Sequence, residues 1–458
     1  MSLEELLAEL RDLGGNLSLG AGGKLNLDIP VGVLTEELKE YLRFYKDDLV
    51  ELLTPKAVDE SLSSWEEDSV LPGSFKFSPP RRSHDLKVVL LTGATGFLGK
   101  YLLFELLSQT KCHVYCLVRS GGGDSPLDRL ITGLKEEKLW QEEFARRVKV
   151  IESDLSQSRL GLTTPEYESL AEEIDLILHN GARVHHGLPY HSLRATNVIG
   201  TQQLLEVAAA QGKPFHYVSS LSVLPAMTSA GGERFLEMDS VEETPAPKGG
   251  YNLTKWVGER LMEQAAEKGG EIVVYRPGPI SGHSETGTYN EEDFLIRLVQ
   301  GYAAIGLAPE GETALDVLPV DYVAKVIIWL AMRNSLRSKT LRRYHLLHPE
   351  PVSSELLFEA CARAGVAIER VPYSQWHDQL SRIVQKEERD HPLYAIAGLF
   401  SSREEEGVVN DDFSLEIPYD DQAAQAALKE APFKRSKLDG ALFDRYLEAM
   451  KLKGGILE

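Results

Sequence analysis

The chain has 458 residues, a formal charge of −21 and an isoelectric point near 5.1. At roughly 100–200 residues per domain it has room for about two to four domains, with a core that needs no disulfide or metal to hold it. The acidic balance argues against a nucleic-acid binder, which presents a basic face, and against adsorption to an anionic membrane. Three cysteines (Cys112, Cys116 and Cys361) are too few for a disulfide framework, so a reducing cytoplasm is the expected compartment. No apolar run reaches the length of about 18 residues that a membrane span needs, and the acidic start Met1-Ser2-Leu3-Glu4-Glu5 is the opposite of a signal peptide.

Residues 1–54 read as a small α+β unit. Ser2 and Glu5 fit a capping box, and Leu3, Leu6, Leu7, Leu10 and Leu13 follow helical spacing as far as Gly14-Gly15. Leu17 and Leu19, then Leu25, Leu27 and Ile29, alternate on either side of Gly20-Ala21-Gly22-Gly23, which predicts a hairpin. Thr35 caps a second helical stretch through Leu38, Tyr41, Leu42, Tyr45, Leu49, Leu52 and Leu53. A unit this small with a hairpin edge either dimerises or accepts a peptide strand. Residues 55–85 carry Pro55, Pro72, Pro79, Pro80 and the acidic Glu66-Glu67-Asp68 with little periodicity, and are expected to be a linker.

From Leu86 apolar strands and helical stretches alternate. Strands are predicted at 87–91, 113–118, 148–151, 176–178, 215–218 and 272–275, with helices such as 99–107 and 200–210 between them. That pattern predicts an α/β fold, a Rossmann-type doubly wound parallel sheet over 86–281. Residues 282–458 are expected to form a smaller, mostly helical substrate lobe, with helices near 291–303, 353–364 and 421–452. Within it, 316–349 returns to the sheet domain, Val320–Met332 as a helix. The charged stretch Arg403–Asp412 reads as a mobile loop.

Thr92-Gly93-Ala94-Thr95-Gly96-Phe97-Leu98-Gly99 follows an apolar strand and opens a helix, the context in which a glycine turn binds a nucleotide pyrophosphate. The spacing is G-x-x-G-x-x-G. At the end of the second strand, where an acid would hold the ribose of NAD, stands Arg119, followed by Ser120. Arg119 would meet a 2′-phosphate, favouring NADPH, with Arg129 as a second partner; its bland alternative is a solvated strand end. Asp154 after the third strand is either an adenine contact or a cap. Tyr251 and Lys255 stand four residues apart, on one face if helical. The ammonium is expected to lower the phenol's pKa and fit it for proton transfer to a carbonyl oxygen. Val218-Ser219-Ser220 closes a strand, and a hydroxyl there can bind the same oxygen. Cys112 and Cys116 read as core. His185 and His186 either line the site or face solvent. No metal-ligand cluster is apparent.

With these residues in order, the chain resembles the extended short-chain dehydrogenase/reductase superfamily. More narrowly, it resembles the thioester reductase domains of nonribosomal peptide synthetases, polyketide synthases and carboxylic acid reductases. Leu117-Val118-Arg119, His179-Asn180-Gly181-Ala182, Asn197-Val198-Ile199-Gly200-Thr201, Tyr275-Arg276-Pro277-Gly278-Pro279-Ile280-Ser281-Gly282 and Leu318-Pro319-Val320-Asp321-Tyr322 support the narrower likeness, which covers about 86–350. The family usually has threonine where this chain has Ser220, so a hydroxyl is retained. The resemblance implies Ser220, Tyr251 and Lys255 as catalytic residues. It implies cofactor contacts from Thr92, Gly93, Thr95, Gly96, Phe97, Leu98, Gly99, Leu155, Asn180, Gly181, Ala182, Asn197, Ser219, Pro277, Gly278 and Ile280, beside Arg119, Arg129, Asp154, Tyr251 and Lys255. The implied reaction is NADPH-dependent release of a carrier-bound acyl or peptidyl thioester as an aldehyde, or on to the alcohol.

Residues 1–54, closing on Tyr45-Lys46-Asp47-Asp48-Leu49, resemble the TubC-like docking domains of hybrid synthetases, which implies binding the C-terminal tail of an upstream subunit. No leucine-glycine-x-aspartate-serine carrier site is apparent, so the phosphopantetheinyl thioester is expected in trans. Rival readings are a nucleotide-sugar epimerase or dehydratase on the same frame, and a non-enzymatic NADP-binding docking protein.

Overall fold

The computed structural model describes residues 64–79, 86–121, 125–185, 188–225, 234–334, 341–348, 350–386, 391–397, 400 and 419–454, with parts of 6–49. In the N-terminal part, Asn16–Leu19 and Leu25–Asp28 pair antiparallel, Leu17 opposite Leu27, as the alternation predicts. Leu6, Leu10, Leu38, Tyr41 and Leu49 are buried together beside this hairpin. Arg403–Asp412, the stretch expected to be mobile, lies outside the described residues.

Seven parallel strands make the central sheet: β1 (Val88–Thr92), β2 (His113–Val118), β3 (Val148–Glu152), β4 (Leu176–His179), β5 (Phe215–Val218), β6 (Ile272–Pro277) and β7 (Leu341–Leu346). Their order is β3-β2-β1-β4-β5-β6-β7, the doubly wound arrangement with one strand added beyond β6. The strand order reverses between β1 and β4, the place where doubly wound sheets form a binding crevice at the carboxyl ends of their strands.

The side-chain period of two sends successive residues to opposite faces. Val89 and Leu91 enter one core with α1 (Phe97–Gln109), while Leu90 enters the other with α2 (Gly200–Gln211) and α3 (Gly250–Glu267). Both faces are covered, which explains why the strands read as continuous apolar runs.

Residues 64–79 differ from the expected linker. A short helix, Trp65–Asp68, sets the Trp65 ring edge-on to Trp256 of α3 at 5.4 Å. Buried Asp68 accepts from Arg194 Nε and Nη2 at 2.6 and 2.7 Å and from the Tyr190 hydroxyl at 2.7 Å. Leu71 is buried, and the Ser78 N–H donates to the Ala209 carbonyl at 2.8 Å. Prolines and acids made this strap look solvated; the contacts that bury it are to residues far away in the chain.

The C-terminal part packs α4 (Phe294–Ile305), α6 (Glu355–Arg363) and α9 (Gly440–Leu452) around Tyr289, Phe443 and Tyr446. Between α4 and α6, α5 (Val320–Asn334) lies on α1 in the sheet domain, as expected for a returning segment. Trp376, on α7 (Tyr373–Gln385), is the centre of an adjoining aromatic cluster. The predicted 421–452 helix is two, α8 (Gln422–Leu428) and α9. Pro432 interrupts it, and Asp439 caps the restart by accepting from the Leu442 N–H at 3.0 Å.

Candidate functional site

The turn after β1 lies at the strand-order reversal. Gly93 has φ +71°, and a Cβ there would come within 2.8 Å of the Gly181 Cα. A Cβ on Gly99 would stand 1.8 Å from the Gly93 carbonyl oxygen, so α1 reaches this close to the turn only with glycine at that position. Gly96 caps α1 without any side-chain hydrogen bond, and no acid stands in the first turn. Free N–H groups and the positive end of the helix therefore face the crevice beside exposed Thr95 and Gly96, with Phe97 and Leu98 half-buried. This glycine-lined cradle fits an anionic pyrophosphate.

Arg119 is exposed just past β2. Arg129 donates from Nη2 to the Arg119 carbonyl, and its buried Nε has no partner among the described residues. The Arg129 guanidinium is thus tied to the backbone of Arg119, at the strand end where the adenosine ribose is bound in this class of sheet. One point corrects the sequence reading, which found no acid here. The β2–β3 register sets Val118 opposite Glu152, and the Ser120 hydroxyl donates to the Glu152 carboxylate. Asp154 Oδ1 accepts from the N–H and hydroxyl of Ser156 at 2.9 and 2.7 Å, so half of this carboxylate caps its own turn. Leu155 Cδ1 packs 3.0 Å from where a Gly181 Cβ would be.

Behind the cradle runs a directional chain of buried hydrogen bonds. The Gly181 N–H donates to Thr92 Oγ1 at 2.8 Å, and Thr92 Oγ1 meets His179 Nδ1 at 2.7 Å. His179 Nε2 meets Thr201 Oγ1 at 2.9 Å, and Thr201 donates to the Asn197 carbonyl at 2.6 Å. Only a neutral His179 protonated on Nε2 completes all four bonds. Burial, then the nearby Lys255 charge, lowers its pKa to about 3, which agrees. Asn197, expected at the cofactor, makes its side-chain hydrogen bonds within the protein. It lies in a π-helical turn, Ala195–Ile199, and its amide accepts from the Arg183 N–H at 2.7 Å and donates to the Arg183 carbonyl and Thr254 Oγ1, both at 3.0 Å. Asn197 therefore joins the loop after β4 to α3. Asn180 Nδ2 reaches the Gly93 carbonyl at 3.4 Å, and Ala182 is half-buried beside it.

Tyr251 is on the first turn of α3 and Lys255 one turn later. The Ser219 hydroxyl, expected at the cofactor, donates to Glu259 of α3 at 2.5 Å. Ser220 is half-buried, and its Oγ accepts from the N–H and hydroxyl of Ser222 at 3.1 and 2.9 Å. With its lone pairs occupied, the Ser220 O–H is the group left to donate. Pro277 is buried and Gly278 half-buried at the end of β6, the Gly278 N–H donating to the Leu346 carbonyl at 2.8 Å. Ile280 pairs with Leu318.

The expected sign on Tyr251 is reversed. Burial pushes the phenol up to about 12, rather than the lysine pulling it down. The reason is geometric: Lys255 Nζ donates to the Val218 carbonyl at 2.8 Å and lies 4.8 Å over the Tyr217 ring. Lys255 itself is lowered to about 8, mainly by burial, against the opposing pull of Glu259. At neutral pH the phenol is therefore a proton donor.

His185 is exposed in the loop after β4, and His186 lies outside the described residues. Cys112, Cys116 and Cys361 are buried. Among the described residues no cluster suits a metal ion, and no helix is long and apolar enough to cross a membrane. Sequence reading missed Glu259 and Arg276, a fully buried ion pair directly behind the serine turn. The signal was present: an arginine inside the apolar β6, and an acid one turn beyond Lys255.

The sheet order, glycine turn and Ser–Tyr–Lys grouping are those of an extended short-chain dehydrogenase/reductase fold. The chain belongs to the NAD-binding Male sterility protein family, whose model matches residues 91–327, just over half of the chain. The TubC N-terminal docking domain model matches residues 3–54. A linear gramicidin synthase protein of Brevibacillus parabrevis is 36% identical over 322 residues, which are 69% of this chain and 6% of that protein. The L-2-aminoadipate reductase of Saccharomyces cerevisiae is 29% identical over 84% of this chain and 30% of its own length. The chain thus spans less than a third of either relative. Among solved structures, the terminal R domain of the myxalamid PKS-NRPS pathway superposes with TM-score 0.76 and 32% identity, covering 88% of this chain and 99% of that one.

Proposed function

We propose that this protein is an NADPH-dependent thioester reductase, releasing an acyl or peptidyl chain from a carrier-protein phosphopantetheine arm as an aldehyde. The observation that carries this reading is that two hydroxyl donors, Ser220 just past the carboxyl end of β5 and protonated Tyr251 on the first turn of α3, share a doubly wound sheet with an anion cradle at the strand-order reversal. The likeness to a terminal R domain along nearly its whole length supports the substrate class. The docking-domain match supports delivery in trans, with residues 1–54 taking the C-terminal tail of an upstream synthetase subunit.

The residues that would hold the cofactor are the 92–99 turn for the pyrophosphate, Arg119 and Arg129 for a 2′-phosphate, and Tyr251 with Lys255 for the nicotinamide ribose. Two positive charges there outweigh the single Glu152 carboxylate, and Glu152 is engaged by Ser120. When bound, the cofactor supplies a hydride to the thioester carbonyl carbon. Ser220 and Tyr251 then donate to the developing oxyanion, and Tyr251 delivers its proton there. Lys255, held to the Val218 carbonyl one helical turn beyond Tyr251, keeps a positive charge on the same helix as the phenol loses that proton. The hemithioacetal breaks its C–S bond, the hydroxyl proton passes to sulfur, and an aldehyde and a carrier thiol remain.

Incubating the protein with NADPH and an acyl-pantetheine thioester tests this. Thiol release that depends on NADPH is expected. Thiol release without NADPH would make the protein a hydrolase and refute the proposal.

A further inference from the structure

Two side chains one helical turn apart tie α3 to the end of β5. Lys255 Nζ donates to the Val218 carbonyl at 2.8 Å, and the next residue, Ser219, donates its hydroxyl to Glu259 Oε1 at 2.5 Å. Glu259 is held in its turn. Arg276 on β6 donates from Nε to both carboxylate oxygens at 3.0 Å and from Nη2 to Oε2 at 2.7 Å. Both side chains are fully buried. Arg276 Nη1 donates to His345 Nε2 of β7 at 3.1 Å, while His345 Nδ1 meets the Asp420 carbonyl at 2.7 Å, so this imidazole is neutral and protonated on Nδ1. The Ser219 N–H donates to the Tyr275 carbonyl at 2.7 Å. α3 lies so close to β5 that a Cβ on Gly258 would stand 2.3 Å from the Tyr217 hydroxyl oxygen.

A buried ion pair is often no more stabilising than a well-packed apolar pair, so stability alone does not account for this one. Its geometry does. Tyr251 is two turns before Glu259 on the same helix, and Ser220 follows Ser219 directly. We propose that Glu259, braced by Arg276, is a positioning residue that acts through Ser219 to set the separation of the Ser220 and Tyr251 hydroxyls. Glu259 does not touch the reacting atoms. The cradle for the pyrophosphate is built on β1 and α1, whereas the strut joins α3, β5 and β6.

The proposal rests on the reductase reading, and kinetics of the full chain separates the two. Ser219→Ala removes the strut and leaves the Glu259–Arg276 pair intact. It should lower kcat about 10- to 100-fold, the size expected for misplacing a donor by a fraction of an ångström to an ångström, while the KM for NADPH stays within about twofold. Glu259→Gln, which also removes the charge opposite Arg276, should lower kcat at least as far. The double variant should fall no further than Glu259→Gln alone, because the Ser219 hydroxyl acts through its bond to Glu259. Wild-type kcat in Ser219→Ala, multiplicative losses in the double variant, or equal losses in kcat and cofactor affinity would each overturn the positioning role while leaving the reductase reading standing. A wild-type enzyme that reduces no thioester would overturn both.

Discussion

Tyr251 shows how a local pattern can identify the right residue and mistake its electrostatics. Four-residue spacing from Lys255 suggested a depressed phenol. The fold instead turns the ammonium to the Val218 carbonyl and encloses the phenol, which rises to about 12. A donor that stays protonated suits reduction, in which the oxyanion must gain a proton. Tyr251→Phe should therefore retain NADPH binding and lose roughly 10²–10⁴ in single-turnover rate, the usual size of a general-acid contribution. Unimpaired turnover would remove Tyr251 from the mechanism. The lowered lysine makes a second prediction. Lys255 is ammonium below about pH 8 and neutral above it. If the ammonium is required, kcat/KM should fall as pH rises through about 8, whereas a lysine of ordinary pKa would hold the plateau to about 10. At the ribose, Arg119→Ala should weaken NADPH about ten- to a hundredfold and NADH far less, a charge-assisted phosphate contact being worth roughly 1.5–3 kcal/mol. Equal wild-type use of the two cofactors would contradict that assignment.

At the scale of elements, six strands and the helix opened by the glycine turn were legible because each joins a strong period to a local signal. What was not legible depends on contacts distant in sequence. β7 reads as polar, Leu341-Arg342-Arg343-Tyr344-His345-Leu346, yet it lies inside the protein. Arg343 is paired with Glu263, and Glu237 accepts from the His345 N–H at 3.0 Å. The same blindness hid the strap at 64–79, whose Asp68 looks like a solvated acid until Arg194 is set against it. Asp68→Ala would leave a buried guanidinium without its carboxylate and should destabilise the protein by about 3–5 kcal/mol. Urea unfolding measures this, and a change below about 1 kcal/mol would mean that the strap is peripheral to the fold. Glu152 makes the same point at the site, since only strand register brings it beside Ser120.

Across the whole molecule the domain plan assigns separate tasks. Residues 1–54 would bring the carrier, 86–281 would hold the cofactor and donors, and 282–458 would receive the acyl chain. With a charge of −21 the surface repels acidic partners at long range, so a dedicated docking element is a physical means of raising local carrier concentration. Deleting 1–54 should leave turnover of a small acyl-pantetheine thioester nearly unchanged and raise the KM for the thioester on its cognate carrier. If the shortened chain handles that carrier as well as the full one, the docking role is wrong.

The central claim is that hydride transfer to a thioester releases the carrier thiol. Its most direct measurement follows NADPH oxidation and free thiol together when the full chain meets an acyl-pantetheine thioester. The account predicts that thiol appears only with NADPH, with at least one NADPH consumed per thiol and two if the aldehyde is reduced further. Thiol released at an equal rate without NADPH, or NADPH left unoxidised while the thioester disappears, would contradict it.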